Sequence, residues 1–153
     1  MTVHTTAGTI IAVTASAPGT FNAAGYNALA FTTIGEVTDH GEHGREYSLV
    51  THQPVDSRGD VKFKGGFNEG SKTLQLGLDD DNAGQVLLKA AVNSDNDYSF
   101  KVTYPDGDID YFRAKVMTFK KGVGSRDQVT SATVTLEITT DSATGTGIVE
   151  VNA

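Results

Sequence analysis

The stretch from Tyr98 to Thr139 constrains the fold more than any other, because it holds three runs built on a period of two. In the first, Tyr98, Phe100, Val102 and Tyr104 share one side while Ser99, Lys101 and Thr103 share the other. Only a strand with one dry face suits that alternation. Pro105-Asp106-Gly107-Asp108 follows, with Pro fixing φ at the first turn position and Gly free to take a positive φ, so Ile109 to Val116 returns as the second arm of a hairpin. The third run puts Ala132, Val134, Leu136 and Ile138 on one face and Thr133, Thr135, Glu137 and Thr139 on the other.

Composition supports this reading. Seventeen glycines, no tryptophan and many β-branched residues favour strands joined by turns over a helical bundle. The expectation is a mainly β protein, a β-sandwich with one flanking α-helix and a long inter-strand loop. At 153 residues the chain suits a single domain over 1–153, with a flexible N-terminal segment 1–8 and a C-terminal tail 142–153. The absence of cysteine removes disulfides, thiol catalysis and thiolate metal sites together. A net charge of -7 disfavours a general grip on phosphates, and no apolar run nears the roughly 20 residues that cross a bilayer.

Along the chain, Thr9 to Ala15 reads as a strand, Thr20 to Ala30 as a loop or short irregular helix, and Phe31 to Thr38 as a strand in which Gly35 marks a bulge or a close approach. The segment Asp39 to Gly70 carries six glycines, three of the four histidines and mixed charge, and much of it reads as loop. A connection so long inside a compact domain is usually functional, so it is the leading candidate for partner contact. Thr73 to Leu78 reads as a strand, and Asp79 to Asn82 supplies a cap for a helix ending near Val92. The expected buried stripe of that helix is Ala83, Val86, Leu87, Ala90 and Ala91, with Gln85 and Lys89 off it. Lys120 to Ser125 reads as a flexible link.

No constellation points to catalysis or to a cofactor. His40-x-x-His43 and His52 have a spacing that solvated loop histidines share, and the thiolates of structural zinc sites are missing. Asp79 to Gly84 and Asp106 to Asp110 begin like calcium loops, but Ala83 and Tyr111 stand where the motif needs an oxygen ligand and a glycine. A capped helix and a tight hairpin explain both. Arg113, Lys115, Lys120, Lys121 and Arg126 cluster near Tyr111 and Phe119, a pattern that fits a nucleic-acid face or equally a charged strand edge.

The order of elements, with Tyr104-Pro105-Asp106-Gly107 followed by Phe112-Arg113, resembles the major tail tube proteins of lambda-type long-tailed (siphovirus) bacteriophages over Ile34 to Asp141. The resemblance implies a structural virion protein, not an enzyme. It implies homohexameric rings stacked into a tail tube around a tape measure protein, joined to tail tip and tail terminator proteins and assembled in the host cytoplasm. DNA would pass through the lumen without specific binding during genome ejection. No appended immunoglobulin-like domain is expected after Asp141, so the resemblance does not extend to surface decoration of the tail. The contact loop between rings or subunits would then include Asp39, His40, Glu42, His43, Arg45, Glu46, Asp56, Arg58 and Asp60. Thr133, Thr135, Glu137 and Thr139 would face a polar, net negative lumen that repels phosphates. Two other readings fit the composition: a monomeric carbohydrate-binding or adhesin module, though no tryptophan is present to form a sugar platform, and the tube protein of a contractile secretion system, which shares the expected fold.

Overall fold

A computed structural model describes residues 2–153; Met1, part of the N-terminal segment expected to be flexible, lies outside them. The three alternating runs form β7 (Tyr98–Thr103), β8 (Ile109–Gly122) and β9 (Ser131–Thr139), hydrogen-bonded in that order. On one side of this trio lie β1 (Ile10–Thr14) and the short β2 (Thr32–Thr33). On the other lie β6 (Ser71–Gly77) and β3 (Val37–Asp39). The expected mainly β fold with a flanking helix forms, and its sheet follows one path, β2-β1-β7-β8-β9-β6-β3, curled into a half-barrel. Every pairing is antiparallel.

The dry face is the one the alternation marks. Phe100, Val102, Phe112, Ala114, Leu74, Leu76, Val134 and Leu136 are all at most 1% exposed, and the rings of Phe100 and Phe112 stack 5.4 Å apart. Removing each large side chain from water stabilises the fold by about 1.5–3 kcal/mol. The turn between β7 and β8 has Gly107 at φ 95°, and its N–H donates to the Tyr104 carbonyl. Outside the sheet, Tyr111 points to the opposite face and is covered by Tyr26 of α1 (Ala23–Asn27), ring centroids 5.2 Å apart.

Helix α2 (Ala83–Val92) closes the core, capped by Asn82, whose Oδ1 accepts the Gln85 N–H at 3.1 Å and the Gly35 N–H at 3.2 Å. The close approach expected at Gly35 is therefore made to this cap. The buried stripe differs from expectation: Gly84, Gln85, Leu88 and Ala91 face inward, whereas Val86 is 49% exposed. Gln85 determines the rotation. Its amide donates to the carbonyls of Gly35 and Gly77 and accepts the Asp79 N–H, so it ties helix to sheet with no polar atom stranded. Gly84 lets the helix approach β2, since a Cβ there would lie 2.4 Å from the Thr33 carbonyl oxygen.

Three further segments differ from the sequence reading. Phe31 to Thr38 splits into β2 and β3 around the buried Ile34. Lys120 to Gly122 belongs to β8, because Ser131 to Thr133 continue the ladder and hold it extended. Asp39 to Gly70 is not mainly loop: β4 (Glu46–His52) and β5 (Val61–Asn68) pair with each other as a separate two-stranded ribbon. At the C-terminal end, β10 (Val149–Val151) pairs with Ile109–Tyr111, the part of β8 that β9 leaves free.

Candidate functional site

The ribbon β4–β5 is the feature the core does not explain. Fourteen of its fifteen strand residues are exposed, Gly65 being the half-buried one. The register gives it two chemically distinct faces. Tyr47 lies opposite Phe67 and Leu49 opposite Lys64, and on this face the Lys64 ammonium sits 4.6 Å from the centre of the Tyr47 ring and the Arg45 guanidinium 3.9 Å from that of Phe67. The other face carries Val50 opposite Phe63 and His52 opposite Val61; Val50, Phe63 and Val61 are 45–55% exposed. Apolar side chains so exposed on a two-stranded element are covered only by their cross-strand neighbours, and an isolated ribbon of this kind is only marginally stable in water.

What steadies the ribbon is its root. Lys72 stands in the inward register of β6 with Leu74 and Leu76, and is only 2% exposed. Its ammonium reaches His43 Nδ1 at 3.1 Å, while His43 Nε2 lies 2.7 Å from Asp110 Oδ2, which also accepts the Tyr104 hydroxyl at 2.6 Å. An ammonium can only donate, so His43 accepts at Nδ1 and carries its proton at Nε2, toward the carboxylate. Burial lowers the Lys72 pKa to about 8, against the pull of Asp110 and Asp39. Burial pushes Asp110 up, but hydrogen bonds from His43 and Tyr104 outweigh it and hold the carboxyl below its ordinary range. Burial raises the Tyr104 hydroxyl further, together with its bond to Asp110. At the base of the ribbon, just before β4 and just after β5, Arg45 grips the 2%-exposed Glu69 through Nε at 2.8 Å and Nη2 at 2.7 Å.

Between root and β10 lies a cleft of about 740 Å³ with Glu42, His43, Arg45, Glu69, Asp108, Asp110 and Glu150 among its walls. The sequence-derived contact residues separate accordingly. Glu42, His43 and Arg45 come together at the cleft; Asp39 ends β3, its Oδ1 accepting the Gly41 N–H; His40 is half-buried beside the root, its pKa lowered by burial and by Lys72. Glu46 begins β4 opposite Asn68, and Asp56, Arg58 and Asp60 are exposed in the link at the far end of the ribbon. Sequence reasoning missed Lys72, Glu69, Tyr104, Asp108, Asp110 and Glu150. Lys72 had a signal, since it occupies an apolar position of its strand. Among the described residues no group of three His, Asp or Glu converges as metal ligands, and no helix is long and apolar enough to cross a membrane.

Thr133, Thr135, Glu137 and Thr139 all lie on the β9 face opposite the core, Glu137 being exposed and the threonines half-buried. The face is polar, as expected, but not predominantly acidic: its ladder partners on β8 include Arg113, Lys115 and Lys120, and Lys115 pairs with Asp97. The net negative character expected of this face is absent because the basic cluster of the sequence lies directly across the strand from Glu137.

Comparison with known proteins adds an independent line. A family model described as lambda phage tail tube protein matches residues 19–144. Among solved structures, the chain is similar to one in the sixfold-symmetrised baseplate of the anti-feeding prophage, with TM-score 0.67 and 10% identity over 99% of this chain and 97% of that one. It is also similar to one in the tail of an empty GTA particle refined with C6 symmetry, with TM-score 0.57 and 14% identity over 72% and 83%. No curated protein matches it in sequence.

Proposed function

We propose, from the premise that this chain belongs to the lambda phage tail tube protein family, that it assembles as homohexameric rings stacked into the tube through which a viral genome is ejected. The family is structural rather than enzymatic, and the role of the chain is that of a tail tube component of a virion. The carrying observation is the ribbon β4–β5, which leaves Leu49, Val50, Val61 and Phe63 with 45–66% of their surface exposed and in want of cover. A second copy supplies that cover, and the narrow sheet edges β2 and β3 supply sites for strand-to-strand closure of a ring. In this reading the ribbon, with Asp56, Arg58 and Asp60 near its tip, bridges subunits or rings. The polar face of Thr133, Thr135, Glu137 and Thr139 lines the bore, and the tape measure, tail tip and tail terminator proteins are partners met in the host cytoplasm.

Electron microscopy of the purified protein at rising concentration tests this: rings or tubes are the expected result. A chain that stays monomeric at every salt and concentration, with tail-tip nuclei present, overturns the reading. Tight binding on a glycan array would place it instead among carbohydrate-binding modules.

A further inference from the structure

We infer that the Lys62 and Lys64 shank of one copy's ribbon docks into the acidic cleft at the ribbon root of the next copy. This rests on the tube reading and specifies the contact it uses. Two independent observations point to a cationic occupant for the cleft. At its rim Glu42 and Glu150 are exposed and have no ion-pair partner among the described residues. In its wall Asp108 is only 6% exposed, and while Oδ1 accepts the Ala153 N–H at 2.8 Å, Oδ2 has no hydrogen-bond partner among the described residues. A buried, half-satisfied carboxylate projects its field through a medium of low dielectric, so the cleft attracts positive charge more strongly than its rim alone would.

The chain carries a matching surface. Lys62 and Lys64 are exposed on β5 without an ion-pair partner among the described residues, on the ribbon face that holds the aromatic pair Tyr47 and Phe67. Other exposed cations fit less well. Arg58, at the tip, is flanked by Asp56 and Asp60, Arg126 of the β8–β9 link is paired with Asp127, and Lys121 at the end of β8 lies near Asp80. Lys62 and Lys64 pair with Thr51 and Leu49, six and four residues along the chain from the cleft-lining Arg45, and neither lines the cleft of its own chain. The eight residues of β5 extend roughly 25 Å at about 3.3 Å per residue. Lys62, seven residues before the cleft-lining Glu69, therefore stands roughly 23 Å out along the ribbon, where a neighbouring copy can meet it. Docking by one face leaves Val50, Phe63 and Val61 on the other to pack against a third surface in the assembly.

The lack of native cysteine makes the test direct. Full-length copies carrying Lys62→Cys are mixed with copies carrying Glu150→Cys, allowed to assemble and oxidised; Arg126→Cys with Glu150→Cys is the control pair. A disulfide-linked heterodimer from the first mixture and none from the control is expected. Alongside it, Lys62→Glu with Lys64→Glu should raise the concentration needed for assembly about tenfold or more, and adding Glu42→Lys with Glu150→Lys to the same chain should restore it. Assemblies that form without the first crosslink, or that crosslink through Arg126→Cys instead, overturn this inference and leave the tube reading standing. Failure of the unmodified protein to assemble under any condition removes both.

Discussion

Lys72 shows how a single residue couples fold, site and pH. Its folded pKa of about 8 lies below the ordinary 10.5, so between these values the unfolded chain binds the extra proton and stability rises with pH. Below about pH 8 both states are protonated and the cost of burying the charge, on the order of 3–4 kcal/mol, is constant. Above pH 10 the slope reverses, because burial raises Tyr26 to about 12 and also raises Tyr104, and the unfolded chain then loses phenolic protons first. Urea unfolding at pH 7, 8, 9 and 10 should therefore show stability climbing between pH 8 and 10. Lys72→Met should remove that climb. A flat profile for the unmodified protein, or an unchanged climb in the variant, sinks the assignment. The sequence displayed Lys72 in the register of Leu74 and Leu76, yet its partners were illegible, because His43 and Asp110 lie 29 and 67 residues from the positions they meet.

At the scale of elements, what was legible follows from what each element faces. Strands β6 to β9 pack one face on the core, and that burial writes a period of two into the sequence. The ribbon β4–β5 packs neither face on the core, so its only regular alternation is the short Val61-Lys62-Phe63-Lys64, which Gly65 and Gly66 interrupt, and the Gly-rich, mixed-charge surroundings hide the pair of strands. Helix α2 was legible as a helix but not in rotation, since the polar Gln85 is bound by backbone groups of distant residues. Two substitutions separate the stripes: Leu88→Ala, at a fully buried position, should cost about 2–5 kcal/mol, whereas Val86→Ala should cost no more than about 0.5 kcal/mol. Comparable losses in thermal or urea unfolding would restore the stripe expected from spacing. For the ribbon, replacing residues 53–60 by a two-residue turn should leave the unfolding transition of the sheet in place and abolish tubes. Normal tubes from that variant would remove the ribbon tip from the interface.

For the whole molecule, one curled sheet divides the surface into a face packed beneath α2 and a face left polar, and the remaining question is which side the polar face meets in the assembly. Its charges nearly balance: Glu137 lies across the ladder from Lys115, and Lys115 is itself paired with Asp97. A bore lined this way would limit retention of phosphates only in part, since Lys115 is paired but Arg113 and Lys120 have no ion pair among the described residues, and each Lys or Arg contact to phosphate adds salt-dependent affinity for nucleic acid. Glu137→Lys would test that arrangement. The substitution sits on an exposed site and should leave ring assembly intact, but it adds a positive charge beside Lys115 that every subunit repeats around the bore. Genome release from virions carrying it should slow, most at low ionic strength, where the screening length is roughly 30 Å at 0.01 M against about 8 Å at physiological salt. Release kinetics that match the unmodified virion at both salts would place Glu137 on the outside of the tube and move the bore to another face of the sheet.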